Sequence, residues 1–319
     1  MTMSYVLHRA TIALHTPLGT PLAGDTLFGQ LCWALRDAAG SDALGKALEG
    51  YTQGKPWLVV SDGFPAGCLP RPTLPQVFEP ERKPEERKAA KKKHWLPAVR
   101  STEPMRKLLA DGLQTDAEAY GQVPVATSQS HNTLNRLSGT TGKGEFAPYT
   151  QMQTFHAAGQ RIDIYLVIDT ARTSAEQVTQ LLAAVGAAGF GRDASIGLGK
   201  FSVETVAPCS LPGHPKSTAY CTLAPCAPQG QGFENERSYW KVLTRFGRHG
   251  NAHALSGTPF KTPVLMATTG AVFTPAGPFA PRAFIGNGLG GDGTLSKAQP
   301  ATVHQGYAPV VPILLEALS

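Results

Sequence analysis

Charge is scarce in this sequence: only 16% of its residues are Asp, Glu, Lys or Arg, where a soluble domain ordinarily carries about a quarter. Such a shortage points to a surface largely covered, by the chain's own loops or by partners. Long apolar runs are missing too. No stretch approaches the roughly 18–20 apolar residues that a membrane helix needs, so no membrane association is expected. The start, Met1-Thr2-Met3-Ser4-Tyr5, has neither a basic segment nor a small-residue cleavage site, which argues against a secretory leader and for a cytoplasmic protein. Cysteines are few, odd in number and irregularly spaced: Cys32, Cys68, Cys209, Cys221 and Cys226. Cys221 and Cys226 have no second pair at zinc-site spacing, so neither a metal nor a disulfide framework is expected. Cys32 reads as a small buried hydrophobe on a helix face. No Walker-type Gly-Lys-Ser/Thr occurs, and no cofactor is expected.

What remains is a 319-residue chain with 42% hydrophobic residues, enough for two domains with cores of their own. Its 34 glycines and 26 prolines mark it as loop-rich. The 29 Lys and Arg against 23 Asp and Glu give a formal charge of +6, which favours acidic partners such as nucleic acid.

Residues 4–15 alternate as a strand, with Val6, His8, Ala10, Ile12 and Leu14 on one face. After a Thr-Pro-Leu-Gly-Thr-Pro-Leu turn at 16–22, Asp25 or Thr26 is placed to cap a helix. The apolar stripe of that helix is Leu27, Phe28, Leu31, Cys32 and Leu35. A short helix around 42–48 and a strand at 57–60 follow. The pattern then repeats. Residues 161–169 alternate as a half-buried strand, Thr173 and Glu176 form a capping-box pattern, and Val178, Leu181, Leu182 and Val185 line a helix face. A strand at 200–204 closes the unit. Two β-α-β halves imply an α+β fold with a ferredoxin-like (RRM-type) sheet and helices on one face. A long insertion, about 62–145, separates the halves. Residues 208–217 read as a boundary, dividing the chain into an N-terminal domain over 1–207 and a β-rich domain over 208–319.

The most informative stretch is Gly189-Phe190-Gly191-Arg192-Asp193-Ala194-Ser195-Ile196-Gly197-Leu198-Gly199-Lys200-Phe201. Its first six residues match G-x-G-x-x-A, but a helix precedes them and a strand follows. A dinucleotide site needs the reverse order, so NAD or ATP binding is disfavoured. Two readings stay open. The glycines let backbone amides approach a polyanion, flanked by Arg192 and Lys200, or they simply end the helix in a turn.

This stretch resembles the G-loop of the RAMP superfamily of CRISPR proteins, and residues 21–35 resemble the first-helix motif of the same superfamily. Within it the similarity is to the Csm-type subunit that caps the 5′ end of the guide RNA in type III-A complexes. His131-Asn132-Thr133-Leu134-Asn135-Arg136 resembles that subunit's mid-chain stretch. Residues 261–266, 270–273 and 305–308 resemble its C-terminal pattern. Two departures stand out: Phe190 intervenes where adjacent glycines are usual, and residues 72–115 have no counterpart. The resemblance implies tandem RRM-like domains, the second mostly β, and a non-catalytic subunit for antiviral defence. Such a subunit binds the 5′ tag of the guide RNA (crRNA) and docks the large palm-domain subunit and the first backbone subunit. Target-RNA cleavage would belong to the backbone subunits, and DNA cleavage and cyclic oligoadenylate synthesis to the large one. RNA contacts are then expected from Gly189, Gly191, Arg192, Ser195, Gly197, Gly199 and Lys200.

Three further groups are candidates. His131, Asn132 and Arg136 can hydrogen-bond single-stranded RNA, or Ser130 and Asn132 can instead satisfy a local turn. The run from Arg82 to Trp95 holds seven basic and two acidic side chains. Lys91, Lys92 and Lys93 would lie on RNA with Trp95 stacking on a base, unless the run is a solvated loop. Arg245 and Arg248 form a second basic-aromatic cluster. The alternative function is a RAMP-family endoribonuclease that processes CRISPR precursor RNA, for which His8, His15 and Asp25 are the available groups. His8 on an apolar strand face reads as structural. Those endonucleases carry the G-loop near the C-terminus, whereas here a long chain follows it.

Overall fold

A computed structural model describes residues 5–250 and 259–317; Ser4, where the first strand was expected to begin, lies outside the described residues. The N-terminal sheet joins β1 (Tyr5–Leu14), β2 (Leu58–Pro65), β8 (Arg161–Asp169) and β9 (Phe201–Pro208) in the order β2-β8-β1-β9, every neighbouring pair antiparallel. This is the ferredoxin-like order, reached by the two β-α-β halves as expected. Helices α1 (Gly24–Leu48) and α5 (Ala175–Ala188) cover one face. Leu27, Phe28, Leu31, Leu35, Val178, Leu181 and Leu182 pack there on Ile12, Ile164, Leu166 and Ile168. The two expected N-terminal helices are one assigned span broken at Gly40, whose φ of 88° is non-helical.

The insertion is folded. It contributes a three-stranded sheet of β3 (Cys68–Pro70), β4 (Lys93–Pro97) and β5 (Gln114–Thr115). Around that sheet lie the short helices α2 (Pro84–Lys91), α3 (Met105–Lys107) and α4 (Asp116–Tyr120). It then extends as a hairpin of β6 (Val125–His131) and β7 (Tyr149–Phe155). Phe78, Leu96, Met105, Leu108 and Leu109 pack with Phe64 and Tyr165 beneath the sheet. That cover corrects one expectation: β8 is buried on both faces, not one. Its Asp163 is satisfied inside by Thr11 Oγ1 at 2.6 Å and the amide of Gly67 at 2.8 Å.

The second sheet runs β13 (Val272–Phe273), β10 (Ala219–Thr222), β15 (Val303–Ile313), β14 (Phe284–Gly290), with a separate ribbon of β11 (Val242–Arg245) and β12 (Val264–Ala267). No helix occurs in it among the described residues, so the chain is α+β with a mostly β second half. Cys221 and Cys226 are free thiols in its core, and burial pushes Cys221 up to about 12. Among the described residues no group of three His, Cys, Asp or Glu side chains is placed to hold a metal, and no helix is long and apolar enough to cross a membrane.

The two sheets are welded along the outer edge of β2. The buried side chain of Gln305 pairs with Val60 as a strand would, accepting from its amide at 2.9 Å and donating to its carbonyl at 2.8 Å. The Asp62 amide donates to Leu223 O, and Asp62 accepts from Gly24 N at 2.7 Å and from the Thr269 hydroxyl. Asp25 is no helix cap. Its buried carboxylate takes a bidentate pair from Arg245 at 2.6 and 3.0 Å and lies 3.2 Å from His304 Nε2. Burial alone would raise Asp25, but His304 and Arg245 hold it below the ordinary carboxylate range. The cap at α5 is also displaced by one residue. Ser174, not Thr173, accepts from the backbone amide of Gln177.

Two predictions follow from this edge. Gln305→Ala strands two buried backbone groups and should cost roughly 2–4 kcal/mol in denaturant unfolding; a loss below ~0.5 kcal/mol would mean that water replaces the amide. Burial pushes Asp62 up to about 7, above its ordinary 3.8. A carboxyl raised on folding stabilises while protonated, so its contribution is lost as pH rises from about 4 through about 7. Asp62→Asn removes the charge, its oxygen still accepting from Gly24 N and its amide nitrogen donating to the Thr269 hydroxyl, so its stability relative to wild type should climb between pH 5 and pH 8. A difference that stays flat with pH would place the Asp62 carboxyl in water.

Candidate nucleic-acid interface

The glycine loop is built by its own packing. Helix α5 ends at Ala188, and wholly buried Phe190 plugs the loop into the core, which accounts for its place between the glycines. Its amide donates to Gly199 O at 2.8 Å. A Cβ on Gly199 would sit 2.1 Å from Phe190 O, one on Gly189 2.4 Å from Leu198 O, and one on Gly191 2.7 Å from Thr20 Cβ. These three glycines let the limbs of the loop pinch together, so close packing within the chain already requires them. Gly197 differs: its φ is 102°, and nothing lies within 4 Å of a Cβ placed there. Beside it Ser195, Ile196 and Lys200 are exposed. Asp193 holds a left-handed φ of 63° and lies 3.5 Å from the Arg192 guanidinium.

Two other segments are tied to this loop. In the turn after β1, Pro17 O accepts from Gly199 N, Thr16 Oγ1 from Lys200 N, and Thr20 Oγ1 from Arg192 N, all within 3.0 Å. Leu18 exchanges two backbone hydrogen bonds with Thr154 of β7. The Arg192 side chain donates to Met152 O of the same strand at 2.6 Å. The loop, the turn and the base of the β6–β7 hairpin therefore form one surface. From Met152 the hairpin runs roughly 10 Å further, at about 3.3 Å per residue, to His131, which stacks on Tyr149 at 5.3 Å. Asn132 and Arg136 are exposed beyond it. The local turn is satisfied by Asn135, whose side chain accepts from Leu137 N, so Asn132 is not needed for it. Exposed Val125, Tyr149, Met152 and Phe155 give the hairpin apolar character.

The remaining candidates fall elsewhere. Lys91 lines a cleft of about 1210 Å³ between the insertion, the Pro21–Ala23 segment and Lys241 and Thr269 at the ends of the β11–β12 ribbon. Lys92 is exposed and Lys93 is half-buried in β4. The expected loop there is helix α2, and Trp95 is not free to stack on a base. Its indole donates to Asp116 at 2.7 Å and meets Phe64 and Tyr120 edge-on. Arg245, expected to contact RNA, is paired with Asp25, and Arg248 lies over the Phe260 ring. Asp25 and buried His8 are likewise unavailable as a catalytic pair, and His15 Nε2 is 2.9 Å from Ser202 Oγ. Sequence reasoning passed over Thr16, Thr20 and Met152. Thr16 and Thr20 each precede a proline, a position held extended, and that was the available signal for their fixed side chains.

Gly199→Ala should cost at least ~3 kcal/mol through overlap with the Phe190 backbone, whereas Gly197→Ala pays only for its left-handed backbone, about 1–2 kcal/mol. Thermal unfolding of the two variants checks the order, and the reverse order would contradict the packing described.

No protein-family model matches this sequence, and no curated protein matches it. Among solved structures it is similar to a chain of a Csm1–Csm4 cassette in complex with cA4, with TM-score 0.58 and 15% identity over 98% of this chain and 100% of that one. The same cassette with AMPPNP gives TM-score 0.54 at 15% identity, over 97% of this chain and 100% of that one. A Csm3–Csm4 subcomplex of a type III-A CRISPR-Cas interference complex gives 0.53 at 12%, over 95% and 99%. Identity this low speaks for the fold alone: the chain shares the fold of a subunit found in these Csm1–Csm4 and Csm3–Csm4 complexes.

Proposed function

We propose that this chain is a non-catalytic RNA-binding subunit of a type III-A CRISPR effector complex, and that it grips the 5′ tag of the guide RNA. The observation that carries the reading is the joined surface of glycine loop, turn and hairpin, tied by Arg192 to Met152 O. Gly197 offers backbone with open space in front of it, and Lys200 and Arg192 supply charge for phosphates. The hairpin adds His131, Tyr149, Asn132 and Arg136, which suit unstacked bases and sugar hydroxyls. Lys91 in the cleft, with Lys92 and Lys93 next to it in sequence, would extend the charge.

Partners equivalent to Csm1 and Csm3 are proposed from the neighbours, which are complexes of Csm4 with those proteins. On the β11–β12 ribbon Val242, Phe246 and Leu265 are each more than 60% exposed, an apolar surface suited to a protein partner. Asp25, His8 and His15, the groups weighed for catalysis, are buried or paired within the fold, which supports a subunit without chemistry of its own.

Removing Arg192 forfeits charge-assisted hydrogen bonds, about 1.5–3 kcal/mol or roughly ten- to a hundredfold in affinity. Arg192→Ala should therefore weaken binding of tag-containing RNA by that factor while circular dichroism stays unchanged. Changing Lys91, Lys92 and Lys93 to Ala should flatten the salt dependence, by about 0.7 in slope per lost phosphate contact. The purified chain should leave repeat-containing RNA intact with or without Mg²⁺. Wild-type affinity in folded Arg192→Ala would remove the loop from the RNA site, and specific cleavage within the repeat would make the chain a processing endonuclease.

A further inference from the structure

Between α1 and the second sheet lies a smaller cavity of about 270 Å³, distinct from the glycine loop. Its wall on α1 is apolar, from Phe28, Leu44 and Leu48, with Trp33 beside them. Among the described residues no acidic side chain lines it, but two cations do, Arg36 and Lys261. Arg36 lies over the Trp33 ring at 4.8 Å and reaches Ser41 through Nε. Lys261 forms no salt bridge among the described residues. Asp25, the carboxylate that influences it, is taken by Arg245 and His304, and burial lowers the Lys261 ammonium from its ordinary range. Lys261 is half-buried, and an ammonium partly withdrawn from water with no carboxylate paired to it is stabilised by an anion. Aliphatic and aromatic walls of this size would meanwhile enclose a flat, apolar body.

We infer that this cavity binds a nucleotide, its phosphate on Lys261 and Arg36 and its base against the apolar wall of α1. The inference does not depend on the glycine-loop reading, because no residue of that loop lines the cavity. The nucleotide is either free or the 5′-terminal unit of an RNA, and both present the same ring and phosphate.

Two glycines of α1 make the site testable without disturbing the fold. Gly29 and Gly45 line the cavity, and a Cβ on either meets nothing within 4 Å. Gly45→Leu should fill the cavity while strengthening the helix, since glycine is a poor helix former. With the full-length chain, calorimetric titration should show AMP binding at least tenfold more tightly than adenosine or inorganic phosphate. Lys261→Met should weaken AMP at least tenfold. Gly45→Leu should abolish binding with Tm equal to or above wild type. A 5′-phosphorylated oligoadenylate that competes with AMP and loses that competition in Gly45→Leu would identify an RNA end as the occupant. An oligoadenylate that does not compete would identify a free nucleotide. Absence of AMP binding to wild type, or undiminished binding in folded Gly45→Leu, overturns the site. Neither result bears on Arg192 and tag binding, so the two readings fail separately.

Discussion

Everything in this molecule hangs on a buried carboxylate at the start of α1. Asp25 has no access to solvent, and an ion removed from water must be matched or the fold does not hold. Its matches are Arg245 from β11 of the separate ribbon and His304 from β15 of the second sheet. The neighbouring residue Gly24 is gripped by Asp62, which in turn holds Thr269. A side chain at Gly24 would run into Val60 O at 2.3 Å. The first turn of the helix is therefore fixed against both sheets at once. Truncating Arg245 would leave an uncompensated buried charge, which is more damaging than replacing the pair together.

The second constraint is local. Phe190 and the pinched glycines fix the loop without a ligand, so its shape is preorganised and little ordering cost falls on binding. The left-handed Asp193 and Gly197 are tolerated because the plug and the threonines on either side over-determine the backbone.

The periodicity of the sequence carried the first sheet well. Alternation in 5–14 and 161–169 and the apolar stripes of α1 and α5 sufficed to infer the ferredoxin-like arrangement. It failed where tertiary cover overrode the local signal. Asp163 and Tyr165 look like the wet face of a strand, but the insertion and the second sheet together cover that face, and nothing in the local sequence of β8 announces it. Asp25 has the residue type and place of a cap, and only the distant Arg245 reveals its pairing. Within the glycine stretch the pattern could not separate glycines needed for close packing from the one facing open space. That distinction depends on Phe190, Leu198 and Thr20, which meet only in the fold. The engagement of Trp95 by Asp116 is hidden for the same reason.

Gln305 has one further consequence, for biosynthesis. A bare strand edge invites pairing with other chains, and the edge of β2 at Val60 is closed by a side chain almost at the end of the sequence. On the ribosome the first sheet can assemble once β9 emerges, yet β2 stays open until β15 has also been released. Chains made N-terminal first pass through such exposed states. The last strand thus serves the first sheet as a tethered chaperone, and a truncated chain that ends before it would display a sticky edge on an otherwise finished sheet.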